Sequence, residues 1–262
     1  MLRWGLRQLL PPPVCLLTGP GCPVCVTASG DVDRASEMAH LPRVIMTTSG
    51  DMMRVPHSNG SLQVAKAQGA DVRMVYSTLD ALSIARFNPD HQVIFLGIDF
   101  ETTAPTTAAA ILHACAEGVD NLSVVSLHKL TPPPSGAILN AGELQLSGIL
   151  GPGHVTTTIG SDAWHFLPLH YGIPCAIAGF EPLDILQAVH ALVHGIERDA
   201  PAISNACARS VCPEGNRIAQ RMKQQVFEVG AAEWRSLGIV PASGLSLRNR
   251  YAAFDASRRF PV

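Results

Sequence analysis

Short apolar segments alternate with amphipathic segments along most of this chain. The apolar segments have the length and composition of buried strands: VCLLT (14–18), RVIMTT (43–48), VRMVYS (72–77), QVIFLGI (92–98), LSVVSL (122–127), SGILG (147–151) and CAIAGF (175–180). The amphipathic segments predict helices at 33–40, 61–69, 79–87, 105–118 and 182–199. Apolar strands that alternate with helices are typical of an α/β fold whose mainly parallel sheets are covered on both faces.

Two pairs of similar motifs divide this pattern into two related halves. GPGCPVC at 19–25 resembles GPGHVTT at 151–157, and DFETTAP at 99–105 resembles GFEPLDI at 179–185. We predict two related Rossmann-like lobes, with each motif placed where a strand gives way to a helix. Because sites in open α/β folds form at the carboxyl ends of strands, we expect the motifs to face a cleft between the lobes.

The predicted domains are a first lobe at 1–118, a second lobe at 119–205 and a C-terminal segment at 206–262. A proline-rich loop, LTPPPSG at 130–136, falls within the second lobe. The C-terminal segment is predicted to form an amphipathic helix at 214–230 and then an extended tail that packs back on the lobes.

Composition excludes several classes of function. The 262 residues include 47% hydrophobic residues, and the formal net charge is −2, so neither a nucleic-acid nor a membrane-surface protein is indicated. No apolar segment could span a bilayer, and the first fifteen residues lack the features of a signal peptide, so we expect a cytoplasmic protein. The odd count of seven cysteines argues against a framework of structural disulfides.

The cysteine pair in Cys22-Pro23-Val24-Cys25 is the strongest chemical signal. Two thiols at this spacing can close a small disulfide ring or bind one metal ion, and the bland alternative is a pair of small buried residues in a turn. Cys207 and Cys212, five positions apart on a predicted loop, give only a weak signal for the second half of a four-cysteine zinc site. Cys15, Cys115 and Cys175 lie in apolar segments, where we expect them to pack as small hydrophobic residues.

Two carboxylates follow phenylalanine at predicted strand ends. Glu101 precedes Thr102 and Thr103, which can cap the next helix, and Glu181 is placed similarly. Charge at a helix N-terminus explains both residues simply. Their duplicated setting favours a functional role at the cleft.

Three further residues are candidates for lining the cleft. Asp51 and Arg54 follow a predicted strand, and an ion pair that stiffens the loop is their simplest interpretation. His154 occupies the position in its motif that Cys22 holds in the first lobe, which makes it a candidate ligand or proton carrier, although a structural hydrogen-bonding histidine is the alternative. Motifs for nucleotide binding and serine hydrolysis are absent from the sequence.

Taken together and in order, several motifs resemble the HypD family of nickel–iron hydrogenase maturation proteins. They are GLRQLLP, GPGCPVCVT, GDMMRVP, SLQVAKAQGADVRMVYS, DFETTAPTTA, GPGHVTTTIG, AGFEPLDIL, EGNRIAQ and WRSLGIVPASGLSL, and they cover nearly the whole chain. The resemblance implies a scaffold on which the iron centre of the hydrogenase acquires its cyanide and carbon monoxide ligands. It also implies two partners, a small HypC-type chaperone and a HypE-type cyanide carrier.

The same resemblance associates Cys22 and Cys25 with iron and with thiol–disulfide chemistry. It places Glu101, His154 and Glu181 at the lining of a cleft. A metal-free thiol–disulfide oxidoreductase and a non-catalytic docking module remain the alternative functions.

The sequence also departs from the family pattern. Family members carry an upstream Cys-Gly-Gly-His-Thr motif and a C-terminal cysteine-rich segment that binds a 4Fe–4S cluster, and we expect this chain to lack both. Thr18 stands where histidine is usual, and Asp99 and His57 stand where glycine is usual. If those two positions need positive φ, the backbone there is expected to be strained.

Overall fold

The computed structural model describes residues 5–262, so the first four residues of the predicted first lobe lie outside it. Contacts within the chain define two compact units. We call them the dithiol unit, formed by Cys22–Pro133 with Arg221–Val262, and the His154 unit, formed by the described residues up to Gly21 with Pro134–Gln220. This division differs from the ranges 1–118, 119–205 and 206–262, which stay a prediction about domains.

The fold is α/β, as predicted, with two parallel sheets and one antiparallel hairpin. Its strands are β1 (Val44–Thr48), β2 (Asp71–Met74), β3 (Gln92–Gly97), β4 (Leu122–Ser126), β5 (Ile149–Pro152), β6 (Cys175–Ala178), β7 (Ile203–Asn205), β8 (Phe227–Trp234) and β9 (Gly238–Leu247). Its α-helices are α1 (Leu6–Leu9), α2 (Pro23–Val26), α3 (Ser29–Ala39), α4 (Leu62–Ala67), α5 (Thr78–Phe87), α6 (Ala104–Glu117), α7 (Pro132–Ala141), α8 (Gly153–Ile159), α9 (Phe166–Tyr171), α10 (Pro182–Glu197), α11 (Arg217–Val226) and α12 (Ala256–Arg259). Short 3-10 helices lie at Met52–Arg54, Ser161–Trp164 and Asn249–Phe254.

The dithiol unit is built on a four-stranded parallel sheet in the order β2-β1-β3-β4. Successive residues of a strand point to opposite faces, and each face has its own hydrophobic core. Val124 belongs to one core, with α5 and α6, whereas Val125 belongs to the other, with α3 and α4. This two-sided burial explains why these strands are continuously apolar in sequence.

The His154 unit contains a three-stranded parallel sheet in the order β5-β6-β7. Its core includes Trp164, Leu167 and Ile177, all almost fully buried. Helix α10 follows β6 and begins at Pro182, where the missing amide hydrogen of proline costs no helical hydrogen bond.

Several predictions of secondary structure differ from the structure. The segment VCLLT forms no strand, and its Leu17 is exposed. The predicted loop LTPPPSG instead begins helix α7, because Pro132, Pro133 and Pro134 occupy the first turn, where proline is tolerated. The C-terminal helix ends at Val226 instead of continuing to residue 230, and the next residues form strand β8.

The first part of the predicted extended tail is strand β9, which pairs antiparallel with β8 over the register Phe227↔Leu247 to Trp234↔Gly238. The later part is not extended, because Asn249–Phe254 and Ala256–Arg259 are helical. The buried residues Leu245 and Leu247 of β9 join the core beneath α5 and α6. Within residues 5–262, no helix has both the length and the apolar character needed to cross a bilayer.

Candidate functional site

The two cysteines of the CPVC motif are joined as a disulfide on an exposed turn. Cys22 is the N-cap of the one-turn helix α2, and the backbone N–H of Cys25 donates to Cys22 Sγ at 3.2 Å. The two Cα atoms are 5.3 Å apart. Exposure of both residues rejects the alternative of two small buried residues.

Pro23, between the two cysteines, lines a cavity of about 240 Å³ in the dithiol unit. The cavity lies at the carboxyl ends of β1, β2 and β3, where open α/β folds place their sites. It is lined by Pro23, Ser49, Asp51, Val75, Tyr76, Ser77, Thr78, Phe95, Leu96, Gly97, Ile98, Asp99, Thr103 and Thr106. Two carboxylates and five hydroxyl-bearing serine and threonine residues are present, and none of the basic side chains that the structure describes lines it.

Asp51 uses its carboxylate locally at the rim of this cavity. Its Oδ1 accepts hydrogen bonds from Ser49 Oγ at 2.6 Å and from Met52 N at 3.1 Å, which caps the 3-10 helix Met52–Arg54. The predicted ion pair between Asp51 and Arg54 is wrong, because no such contact occurs within the described part of the chain. Arg54 is exposed.

Glu101 is buried, with only 1% of its surface exposed. Its Oε1 accepts hydrogen bonds from Thr131 N at 2.7 Å and from Thr131 Oγ1 at 3.3 Å, whereas Oε2 has no partner in residues 5–262. Burial raises the pKa of Glu101 to about 7, while the bonds from Thr131 and the charge of Lys223 act in the opposite direction. The carboxyl group can therefore gain or lose a proton near neutral pH.

The threonines beside Glu101 do not cap helix α6 through their side chains. Thr103 is the N-cap without a side-chain capping bond, and Thr102 Oγ1 donates to Asp99 Oδ2 at 3.2 Å. Asp99 also accepts a hydrogen bond from Phe100 N at 2.8 Å, so its carboxylate organises the start of this loop. Pro105 lies in the first turn of α6, where proline is tolerated.

In the His154 unit, His154 and Phe180 form an exposed aromatic pair. Their ring centroids are 5.0 Å apart, and 76% of the Phe180 surface is exposed. The neighbouring Glu181 is also exposed and lies 3.2 Å from the guanidinium of Arg209. His154, Phe180 and Glu181 therefore all lie at the surface of this unit.

The pair formed by Asp184 and Arg209 was not singled out by the sequence. Arg209 donates two hydrogen bonds to the carboxylate of Asp184, at 2.8 and 2.6 Å. These bonds hold the pKa of Asp184 below its usual range and raise the pKa of Arg209. Only the placement of Asp184 three residues after Glu181 could have indicated it.

The two Phe-Glu motifs therefore have different environments despite their similar sequences. Phe100 is 3% exposed and stacks on Trp234, whereas Phe180 is exposed and contacts His154. Glu101 is buried with an unpaired oxygen, whereas Glu181 lies at the surface. The cleft predicted to collect all four motifs stays a prediction.

The sequence pattern did not indicate His128, a buried residue next to Thr103 of the cavity lining. Its Nδ1 lies 3.2 Å from Ser126 Oγ, and its Nε2 lies 3.4 Å from Thr103 Oγ1. Burial lowers the pKa of His128 to about 4, so the ring is neutral at physiological pH. A neutral ring beneath a cavity that carries two carboxylates supplies no compensating positive charge.

Comparison with known proteins agrees with these motifs. The family model described as "HypD: Hydrogenase formation hypA family" matches residues 1–262. The chain is 48% identical to "Hydrogenase maturation factor HypD" of Azotobacter vinelandii and 44% identical to the protein of that name from Escherichia coli (strain K12). These matches cover 100% and 99% of the chain, and 71% and 70% of the two relatives.

The chain belongs to the HypD family. This confirms the resemblance drawn from the motifs, and the cysteine pair and the cavity can now be considered as parts of a HypD fold. Two departures from the family pattern, Asp99 and His57, were expected to strain the backbone if they needed positive φ. Neither residue has positive φ, so this strain does not occur. Within residues 5–262, positive φ at non-glycine positions is confined to Arg43, Asp199, Ser236 and Ala242.

The donor set of this HypD chain is small. Within the described residues, no three side chains of His, Cys, Asp or Glu are arranged to hold a metal ion. Cys22 and Cys25 offer two soft sulfur ligands when reduced, and two ligands leave the coordination of iron incomplete. Of the cysteines expected to pack as small hydrophobic residues, Cys175 is buried, whereas Cys15 and Cys115 are exposed.

Proposed function

We propose that this HypD-family chain acts in hydrogenase maturation as a scaffold that holds iron through Cys22 and Cys25 while the iron acquires its cyanide and carbon monoxide ligands. The observation that carries the proposal is the exposed cysteine pair whose central Pro23 lines a polar cavity at the carboxyl ends of three strands. The names of the curated relatives support the process, since they are hydrogenase maturation factors.

Iron is the cargo of this proposed reaction, and binding it requires two thiolates. The disulfide must first be reduced, with two electrons and two protons taken from two external thiols, which become one disulfide. The proposal therefore places the work in the cytoplasm, where thiols stay reduced. The remaining iron ligands come from a partner, and we assign that role to a small HypC-type chaperone.

The charge of the cavity favours a cation over an anion. Asp51 and Asp99 line it, and no basic residue among positions 5–262 does, so a free cyanide ion would meet like charge there. A ferrous ion would experience attraction. We infer that cyanide reaches the iron from a HypE-type carrier protein.

Iron retention tests the proposal. The reduced chain is mixed anaerobically with ferrous iron and a HypC-type partner, and bound iron is measured after gel filtration. We expect the Cys22→Ser/Cys25→Ser variant to lose most of its iron. Cys15→Ser/Cys115→Ser is the matched control, since it also removes two exposed thiols, and it should retain iron. Equal retention by the first variant would falsify the thiol assignment.

A second candidate function is thiol–disulfide exchange without a metal. The geometry of Cys22 and Cys25 favours it, because the turn brings the two sulfurs together as a disulfide. Differential alkylation and mass spectrometry across glutathione buffers tests this reading, which requires the bond to form and break reversibly. Partner binding that is indifferent to both thiols and to iron would instead indicate a docking module.

A further inference from the structure

We propose that Arg235 and Thr27 are positioning residues that hold the CPVC turn in the conformation where the two sulfurs meet. They would thereby set how readily Cys22 and Cys25 interconvert between dithiol and disulfide. This inference rests on the proposed function in one respect, which is that the proposed function assigns a chemical role to Cys22 and Cys25.

Arg235 binds the turn through both its main chain and its side chain. Its backbone N–H donates to Val26 O at 2.8 Å, and its Nε donates to Thr27 O at 3.0 Å. These two carbonyls come directly after the cysteine pair. The guanidinium also brings positive charge to the C-terminal carbonyls of α2, which is a favourable electrostatic arrangement.

Thr27 ties the end of the turn back to its middle. Its Oγ1 donates to Pro23 O at 2.8 Å, and the side chain is fully buried. Pro23 itself lies between the two cysteines, where its ring fixes φ. Together with the bond from Cys25 N to Cys22 Sγ, this contact closes the turn on itself.

The hairpin that carries Arg235 is anchored to the core of the dithiol unit. Trp234 is 1% exposed, stacks on Phe100, and donates from Nε1 to Ser243 Oγ at 2.8 Å. The buried Lys129 donates to Glu233 O at 2.7 Å. Trp234 also forms an isolated antiparallel bridge with Thr27, so the anchored strand meets the turn directly.

A held turn favours the disulfide over the dithiol. In a glutathione buffer, the two thiols react with one oxidised glutathione to give the protein disulfide and two reduced glutathiones. Holding the backbone keeps the second sulfur near the first, which raises its effective concentration. Release of the turn lowers the equilibrium constant for this oxidation.

The test measures that constant by alkylation and mass spectrometry in glutathione buffers at pH 7. We expect Arg235→Ala to lower it by on the order of tenfold, which corresponds to a rise of about 30 mV in reduction potential. Arg248→Ala is a matched control in the same unit, because Arg248 also donates its backbone N–H and its Nε to main-chain carbonyls. Its partners are Val226, Gln224 and Phe227, away from the turn, so the constant should not change.

A second pair of variants covers the case in which Arg235→Ala fails to fold. Thr27→Val keeps the shape of the side chain and removes the hydroxyl, whereas Thr27→Ser keeps the hydroxyl. We expect the constant to fall in Thr27→Val and to stay near the wild-type value in Thr27→Ser. Equal constants in both variants, or in Arg235→Ala and Arg248→Ala, overturn the positioning role.

The outcomes separate this inference from the proposed function. If the wild-type pair is oxidised and reduced reversibly but none of these substitutions changes the equilibrium constant, only the positioning role is overturned. A folded wild-type chain in which Cys22 and Cys25 form no reversible disulfide overturns the positioning inference and the redox candidate together. The iron-binding proposal is judged separately by iron retention.

Discussion

Phe100 and Trp234 stack with their ring centroids 6.3 Å apart and an angle of 18° between the ring planes. They lie 134 positions apart in the sequence, and both are almost fully buried. Phe100 immediately precedes the buried Glu101, and Trp234 immediately precedes Arg235, which binds the CPVC turn. This stack therefore joins the first Phe-Glu motif to the support of the cysteine pair.

Removal of the Phe100 ring should be costly. Phe100→Ala deletes a buried aromatic side chain and leaves a cavity beside Trp234, so we expect the free energy of unfolding to fall by about 3 kcal/mol. Urea denaturation measures it. Phe180→Ala is the matched control from the second motif, where the exposed ring should contribute no more than about 0.5 kcal/mol. Similar losses in the two variants would contradict the difference in burial.

Glu101 should make stability depend on pH in an identifiable direction. Its folded pKa of about 7 lies above the ordinary 4.5, so between these values the folded state binds more protons than the unfolded state. Stability contributed by this group is therefore present below about pH 4.5 and is lost as pH rises through 7. Relative to wild type, Glu101→Gln should gain roughly 2 to 3 kcal/mol between pH 5 and pH 8.

Urea denaturation at both pH values measures this change. Glu181→Gln is the comparison variant, because Glu181 is the exposed counterpart of Glu101 in the second motif. If the free energy of unfolding of Glu101→Gln changes with pH as much as that of wild type, the Glu101 carboxyl group is not held in a desolvated environment.

Gly160 should tolerate no side chain. Its φ is +87°, and a Cβ atom there would lie 2.1 Å from Pro213 O, a backbone atom that cannot move aside cheaply. We expect Gly160→Ala to cost at least about 2 kcal/mol, detectable as a lower melting temperature. Gly30→Ala is the comparison, because it lies in helix α3 with open space around it, and it should stabilise by about 0.5–1 kcal/mol.

Much of the fold could be predicted because its parallel strands are buried on both faces. RVIMTT, QVIFLGI and LSVVSL are continuously apolar for that reason, and each became a strand within a residue or two of the expected range. Strand β7 escaped notice because it has only three residues, Ile203–Asn205, and two of them are polar. Such a segment carries no hydrophobic pattern, and it is a strand only because it pairs with β6.

The C-terminal hairpin was missed for a different reason. The amphipathic pattern of 214–230 runs across the end of α11 without a break, and the pairing of β8 with β9 overrides it after Val226. Long-range pairing of this kind is a tertiary effect that local propensity does not contain.

The candidate site was predictable only in part. The Cys22–Cys25 spacing indicated the disulfide or metal chemistry directly, because three residues bring the sulfurs together locally. The contact of Arg235 with Thr27 spans 208 residues, so no local pattern could indicate it. The repeated Phe-Glu motif suggested equivalent roles for Glu101 and Glu181, yet tertiary packing buried one and exposed the other.

X-ray absorption of the reduced chain loaded with ferrous iron and a HypC-type partner tests the central claim most directly, since it counts the sulfur atoms bound to iron. We predict that the iron shell of the wild type and of Cys15→Ser/Cys115→Ser contains two sulfurs from this pair, and that the little iron retained by Cys22→Ser/Cys25→Ser lacks both. An iron shell with the same sulfur count in both variants would contradict the claim that this pair holds the metal.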